Sequence, residues 1–155
     1  MRAIETGRTR QTSSMEYSSF VEESSSTPLS AKLGIVAGTT LVLLHSPSTF
    51  SMELPPDVVV GHRVRRQADV VVTFVRSRTA LSNELEKLGQ MVFPGGGLWI
   101  AWPKRSSGIA TTLSDDEVRE LALPMGLVDN KVCAIDATWT GLRFVWRRTR
   151  RHDGE

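Results

Sequence analysis

Four stretches of the chain are continuously apolar rather than alternating: Thr40–Leu44 (TLVLL), Val58–Gly61 (VVVG), Val70–Val75 (VVVTFV) and Leu98–Trp102 (LWIAW). A strand with one wet face alternates apolar and polar residues. An unbroken apolar run is the pattern of a strand covered on both faces, as in parallel α/β sheets. Two helices lie among these runs. Leu81, Leu85 and Leu88 recur at i, i+4 and i+7 and make one apolar stripe. Further on, Ser114-Asp115-Asp116-Glu117 forms a capping box, with Ser114 as N-cap and Glu117 reaching back. Val118, Leu121, Ala122 and Met125 follow at helical spacing, and Pro124 with Gly126 ends the helix.

The last stretch has a different period. Lys131–Asp136 (KVCAID) and Leu142–Arg147 (LRFVWR) flank a five-residue connection, Ala137–Gly141, short enough only for an antiparallel hairpin. In the second strand Leu142, Phe144 and Trp146 face one way and Arg143, Val145 and Arg147 the other, so one face is partly wet. The expected architecture is a mostly parallel α/β sheet of order 2-1-3-4-6-5 that closes in an antiparallel hairpin. Its weak point is Val64–Asp69, too short for an ordinary crossover helix between the second and third strands.

Composition divides the chain. Residues 1–29 contain eleven Ser or Thr and few large apolar groups, too little to offset the entropy of ordering them. The expected organisation is a disordered extension over 1–31, one α/β domain over 32–149 and a basic tail over 150–155. The net charge is +2 in 155 residues. Residues 30–142 carry eleven basic and eleven acidic side chains, so the basic character sits in 143–155, with five arginines against Asp153 and Glu155. The chain has no run of 18 apolar residues and no apolar leader, so no membrane partner is expected. Cys133 is the sole cysteine; it excludes an internal disulfide and a cysteine-rich metal site, and points to the cytoplasm.

The order of elements resembles the Rossmann-like fold of S-adenosylmethionine-dependent methyltransferases, whose sheet also ends in a reversed hairpin strand. Phe93-Pro94-Gly95-Gly96-Gly97-Leu98-Trp99-Ile100 resembles the Pro-Gly-Gly turn into a central strand there, and Asp69-Val70-Val71-Val72 the strand before it. More narrowly, residues 32–148 resemble a family of small bacterial proteins of unknown function. The matching pieces are Trp102-Pro103-Lys104, Ser107-Gly108, the stretch Gly126–Asp136 (GLVDNKVCAID) and Trp139-Thr140-Gly141-Leu142-Arg143-Phe144. The resemblance implies a truncated methyltransferase-like fold and carries no activity with it.

Two departures shape the functional expectation. A methyltransferase places a glycine-rich loop after its first strand, where backbone must approach the cofactor closely; here that stretch reads His45-Ser46-Pro47-Ser48-Thr49. It also sets a carboxylate at the end of the second strand to hold the ribose; here the residues are Gly61-His62-Arg63. The expectation is therefore no cofactor, S-adenosylmethionine in the usual mode included.

Other candidate chemistry is thin. Gly95-Gly96-Gly97 follows a helix and opens a strand, the reverse of a phosphate cradle, and reads as a structural turn. His45 and Ser46 with Asp136 would make a poor hydrolase triad, because Pro47 follows the serine directly. His62 and His152 have no ligand partners at helical or hairpin spacing, so no metal is expected. Cys133 reads as a small mid-strand hydrophobe. Trp139, placed in the hairpin loop, is the one tryptophan expected outside the core. Asp129 and Asp136 either hold turns or do chemistry.

Ligands in open parallel sheets lie beyond the carboxyl ends of the strands. The loops reaching that edge are His45–Ser51, Arg76–Arg78 and Pro103–Gly108, which hold no acid. Arg76, Lys104, Arg105, Ser106 and Ser107 are thus the candidate anion site, for a small anionic molecule or an acidic protein surface. Their alternative is a solvated rim paired with Glu53 and Asp57. Arg143, Arg147, Arg148, Arg150 and Arg151 are a weaker candidate for nucleic acid, without an interleaved aromatic platform. The function expected is a non-catalytic binding or regulatory module, with a small enzyme or sensor for an anionic molecule, or nucleic-acid attachment, as alternatives.

Overall fold

The computed structural model describes residues 27–148. The expected extension, apart from its last five residues, and the expected basic tail with Arg150, Arg151 and His152 lie outside the described residues.

Among the described residues, three α-helices and six strands follow one another: α1 (Leu29–Lys32), β1 (Thr40–Leu44), β2 (Val59–Gly61), β3 (Val70–Phe74), α2 (Arg78–Val92), β4 (Gly97–Pro103), α3 (Asp115–Ala122), β5 (Leu127–Ala134) and β6 (Trp139–Trp146). The strands form one sheet of order β2-β1-β3-β4-β6-β5. β2, β1, β3 and β4 are parallel; β6 runs antiparallel to both β4 and β5. This is the order the hydrophobic pattern predicts. The short link at residues 62–69 does cross over β1 without a helix, tied down by Ala68 N–H donating to the Met91 carbonyl at 2.8 Å.

Every residue of β3 and β4 is buried, and alternation along them feeds two cores. Val71, Leu98, Ile100 and Trp102 point with Val42 and Leu44 towards α2 and α3, whose Leu81, Leu85, Leu88 and Val118 complete that layer. Val70, Val72, Phe74, Trp99 and Ala101 point the other way, under Leu33 and Ile35, the loop residues Phe50 and Met52, and Ile135 and Trp139 of the hairpin. Irregular chain covers this second face because Pro47, Pro55 and Pro56 forbid a helix between β1 and β2.

Three expectations shift. Among the described residues, packing already takes in α1, ahead of residue 32: Ser30 is buried, and Ile35 N–H donates to the Ser30 carbonyl at 2.9 Å. Ser114 caps α3 as expected, its Oγ accepting from Glu117 N–H at 3.3 Å, yet the Glu117 carboxylate goes to Arg78 on α2 instead of back to its own cap. The hairpin connection is Ile135–Thr138, so Trp139 opens β6 and is buried. Its ring meets Phe74 edge-on at 5.2 Å, because loop-covered β3 offers it a core that the hairpin alone would not.

The glycine triplet sits at the amino end of β4. A Cβ on Gly96 would stand 2.8 Å from the Asp69 carbonyl oxygen and 2.9 Å from that of Ala68, both rigid backbone, whereas one on Gly95 would meet nothing within 4 Å. Gly96→Ala is expected to cost about 1–3 kcal/mol, the usual scale of forced overpacking. Gly95→Ala should leave stability within about 0.5 kcal/mol of the parent. Urea denaturation of the two variants side by side checks the contrast.

Candidate functional site

β1 leads to β2 on one side of the sheet and β3 leads to β4 on the other, so strand order reverses between β1 and β3. Chain leaving the two strand ends must part there, which opens a crevice. A cleft of about 610 Å³ occupies that place. Phe74 and Trp139 form its floor, Arg76 and Ser77 come from the end of β3, His45 from the end of β1, and Glu84 from α2.

Glu84 organises this cleft. Its Oε1 accepts from the hydroxyl of Thr73, a fully buried residue, at 3.1 Å. Its Oε2 meets His45 Nε2 at 3.0 Å. An ionised carboxylate only accepts, so neutral His45 carries its proton on Nε2 and keeps a lone pair on Nδ1. His45 stands at φ 61, the left-handed region that a glycine normally supplies. The turn after β1 therefore takes the backbone path of a glycine turn although it holds no glycine. Ser77 caps α2, its Oγ accepting from Ala80 N–H at 3.0 Å. Arg78 N–H is taken by Thr112 Oγ1 at 2.9 Å. With those amides engaged, an anion at this end would rest on the Arg76 guanidinium.

A second cleft, of about 710 Å³, opens beyond the end of β4, between the turn Arg105–Ser107, the start of α3 and the hairpin. Lys104 and Arg105 line it with Trp102, Thr111, Leu113 and Val132. Ile109 lines both clefts, so the segment Gly108–Leu113 partitions them. That partition is pinned to β3: Thr111 Oγ1 donates to the Arg76 carbonyl at 2.7 Å, and Thr112 N–H at 3.1 Å.

The five candidate anion residues are thus separated. Arg76 belongs to the first cleft, Lys104 and Arg105 to the second, and Ser106 to neither. Ser107 works within its own turn, its hydroxyl donating to the Lys104 carbonyl at 2.7 Å and accepting from Ile109 N–H at 3.1 Å. Among the described residues no acid lies within ion-pair distance of Arg76, Lys104 or Arg105, and Glu53 and Asp57 do not pair with them.

The remaining candidates hold structure. Asp136 Oδ1 accepts from the amides of Thr138 and Trp139, both at 2.8 Å, and so fixes the hairpin turn. Asp129 accepts from Arg119 Nε at 3.0 Å, a contact that raises the guanidinium pKa further. His62 Nδ1 meets the Leu43 carbonyl at 3.3 Å. Burial pushes the Cys133 thiol above its ordinary value despite Lys32, Lys104 and Lys131 nearby, which disfavours the thiolate. Arg143 packs against Gly97 and donates to Asn130 Oδ1 at 3.3 Å, and burial lowers its pKa. It is turned into the fold, whereas Arg147 and Arg148 are exposed. Among the described residues no group of three or more His, Cys, Asp or Glu is placed to hold a metal ion, and no helix is long and apolar enough to cross a membrane.

Glu84 is the residue that the sequence reading missed. The strand-end loops hold no acid, but a helix delivers one into the cleft. The available signal is the spacing Ser77, Ala80, Glu84, which places all three on one face of α2 beside the leucine stripe.

No protein-family model matches the sequence, and no curated protein does. Solved structures do match. A SAM-dependent methyltransferase from Aquifex aeolicus is similar over 74% of this chain and 85% of its own, at 12% identity and a TM-score of 0.53. Magnesium protoporphyrin IX methyltransferase from Synechocystis PCC 6803, solved with bound SAM, is similar over 76% of this chain and 74% of its own, at 8% identity and a TM-score of 0.50.

These neighbours overturn two expectations. The expected non-catalytic binding or regulatory module is corrected, and so is the expected absence of a cofactor. The matching proteins are methyltransferases, one of them holding SAM, and they share the fold over most of their length. The chain has the fold of the SAM-dependent methyltransferases, in a trimmed, six-stranded form.

Proposed function

We propose that this chain is a small methyltransferase that holds S-adenosylmethionine in the cleft between the ends of β1 and β3. One observation carries the reading: the cleft at the reversal of strand order combines a carboxylate, a guanidinium and an aromatic floor. That donor set fits the group. Arg76 suits the α-carboxylate of the amino-acid end. Glu84 suits a positively charged ammonium or sulfonium, and Phe74 with Trp139 adds an apolar bed for the adenine. The ribose-binding acid expected at the end of β2 is replaced by His62, so the grip on the sugar differs from the usual one.

When bound, the cofactor supplies an electrophilic methyl group: the sulfonium sulfur keeps the carbon–sulfur electron pair and the acceptor loses a proton. The chain's own part is to position and to take that proton. Glu84 fixes the Nε2–H form of His45, and Nδ1 is left as the base. Thr73 keeps the carboxylate in place from below. The pinned partition Gly108–Leu113 shields the cleft from one side. Membership of the small bacterial family, a cytoplasmic location and a domain that includes α1 and runs to near residue 149 belong to this proposal.

Calorimetry of the full chain with S-adenosylhomocysteine tests it. Saturable binding on the order of micromolar is expected, weakened about tenfold in Arg76→Ala, the scale of one charge-assisted hydrogen bond. Arg76 has no acidic partner among the described residues, so this variant should unfold at the parent's temperature. No binding at millimolar ligand would overturn the reading.

A further inference from the structure

The second cleft is unexplained by a cofactor held in the first. It lies next door along the same edge of the sheet, divided from the first by one residue segment with Ile109 in both walls. A ligand held there faces the first cleft across Ile109, the wall residue the two clefts share, so its reacting end must extend past that side chain for a group to pass between two ligands.

Its walls are of two kinds. On one side Trp102, Leu113 and Leu142 give a buried apolar floor, with exposures of 7%, 6% and 2%. Val132 stands at the rim with 73% of its surface exposed, the most exposed large apolar residue described. It lies in the middle of a strand, where burial or a polar residue is the rule. On the other side stand Lys104 and Arg105. The carboxylate that shares the cleft, Asp115, is already engaged by Arg119 at 3.6 Å. The Ser114 hydroxyl is engaged by the Glu117 amide.

The backbone that carries the two cations is also held in place. Lys104 N–H donates to the Thr138 carbonyl at 2.8 Å, which ties the exit of β4 to the hairpin. The Ser107 hydroxyl closes the turn that carries Arg105, and Gly108 ends it at φ 79. With the backbone braced, meeting an anion costs only the ordering of the two side chains. An ammonium and a forked guanidinium together match a phosphate or carboxylate.

We infer that the second cleft, Trp102 to Val132 with Lys104 and Arg105 at its mouth, binds the methyl acceptor, a small molecule with a planar apolar body and a phosphate or carboxylate tail. The inference that this ligand is the acceptor rests on the methyltransferase reading; the binding site itself does not. The cations take the tail and the apolar floor takes the body, with Val132 losing its exposure. Thr140, also in the wall, offers a hydroxyl to a polar substituent on the ring.

Phenyl phosphate, benzoate and inorganic phosphate are the probes, titrated calorimetrically into the full chain and into two variants. Phenyl phosphate should bind the parent saturably and at least tenfold more tightly than inorganic phosphate, because only it covers Val132 and the floor. Lys104→Ala/Arg105→Ala should weaken phenyl phosphate and benzoate at least tenfold and leave S-adenosylhomocysteine binding unchanged. Arg76→Ala should do the reverse. Phenyl phosphate binding that survives the double variant, or that Arg76→Ala also removes, overturns the second site. Equal affinity for phenyl and inorganic phosphate overturns the apolar half of the inference. S-adenosylhomocysteine failing to bind while phenyl phosphate binds as described overturns the methyltransferase reading, and with it the acceptor role, but not the site.

Discussion

Trp99→Ala should lose about 3–5 kcal/mol of stability, the cost of removing a buried tryptophan from a core that cannot collapse around the gap. Trp99 is fully buried in the centre of β4, between β3 and β6. Its indole Nε1–H donates to the Leu33 carbonyl at 2.9 Å across 66 residues of sequence. That bond joins the N-terminal segment to the middle of the sheet, on the face that α1 and irregular chain cover. The alanine variant therefore leaves a cavity, strips Leu33 of its partner and loosens the segment from α1 to Ile35. A domain of this size has about 5–15 kcal/mol in hand, so the variant should sit near the edge of folding. If it fails to express folded, Trp99→Phe keeps most of the volume and deletes the donor. It should cost about 1–3 kcal/mol, the price of one buried carbonyl left unsatisfied. Urea denaturation gives both numbers, and hydrogen exchange at the Ile35 amide should speed up more than exchange in α2. Equal loss across the molecule would mean that Trp99 does not anchor the segment.

The strand order was legible because unbroken apolar runs, Leu98–Trp102 above all, have only one comfortable place in a fold, the middle of a parallel sheet. The hairpin was legible because a short connection admits no crossover. What covers the second face was not legible, since Leu33, Ile35, Phe50 and Met52 have no shared period and meet only through Trp99 and Phe74. Trp139 was misplaced for the same reason: its core is made by a distant strand. In the site, the three strand-end loops were found from topology alone, and all three do reach a cleft. The sequence could not say that the partition Gly108–Leu113 would divide them, nor that histidine would take a left-handed turn. Glycine is the default there by sterics, and a side chain held by a hydrogen-bond partner can offset the strain.

Glu84→Gln should separate binding of a cation from binding of its neutral counterpart. S-adenosylmethionine carries a sulfonium charge that S-adenosylhomocysteine lacks, so the pair differ mainly in what a carboxylate can feel. In the parent, Glu84 is the acidic residue lining the first cleft, with its side chain 23% exposed. At such partial burial a charge-assisted contact is worth about 1.5–3 kcal/mol, or roughly 10–100-fold in affinity. Glutamine keeps an acceptor for the Thr73 hydroxyl, so the thermal midpoint should move little. Glu84→Ala removes that acceptor, and because Thr73 is fully buried it should cost about 1–3 kcal/mol of stability besides. The expected result for Glu84→Gln is therefore at least tenfold weaker S-adenosylmethionine binding, a markedly smaller loss for S-adenosylhomocysteine, and a near-parental midpoint, read by calorimetry and thermal unfolding on the same samples. Equal losses for the two ligands would place the sulfonium away from Glu84 and assign the carboxylate to the α-ammonium or the ribose, groups the ligands share. No loss for either would remove Glu84 from the site and leave it as a brace between His45 and Thr73.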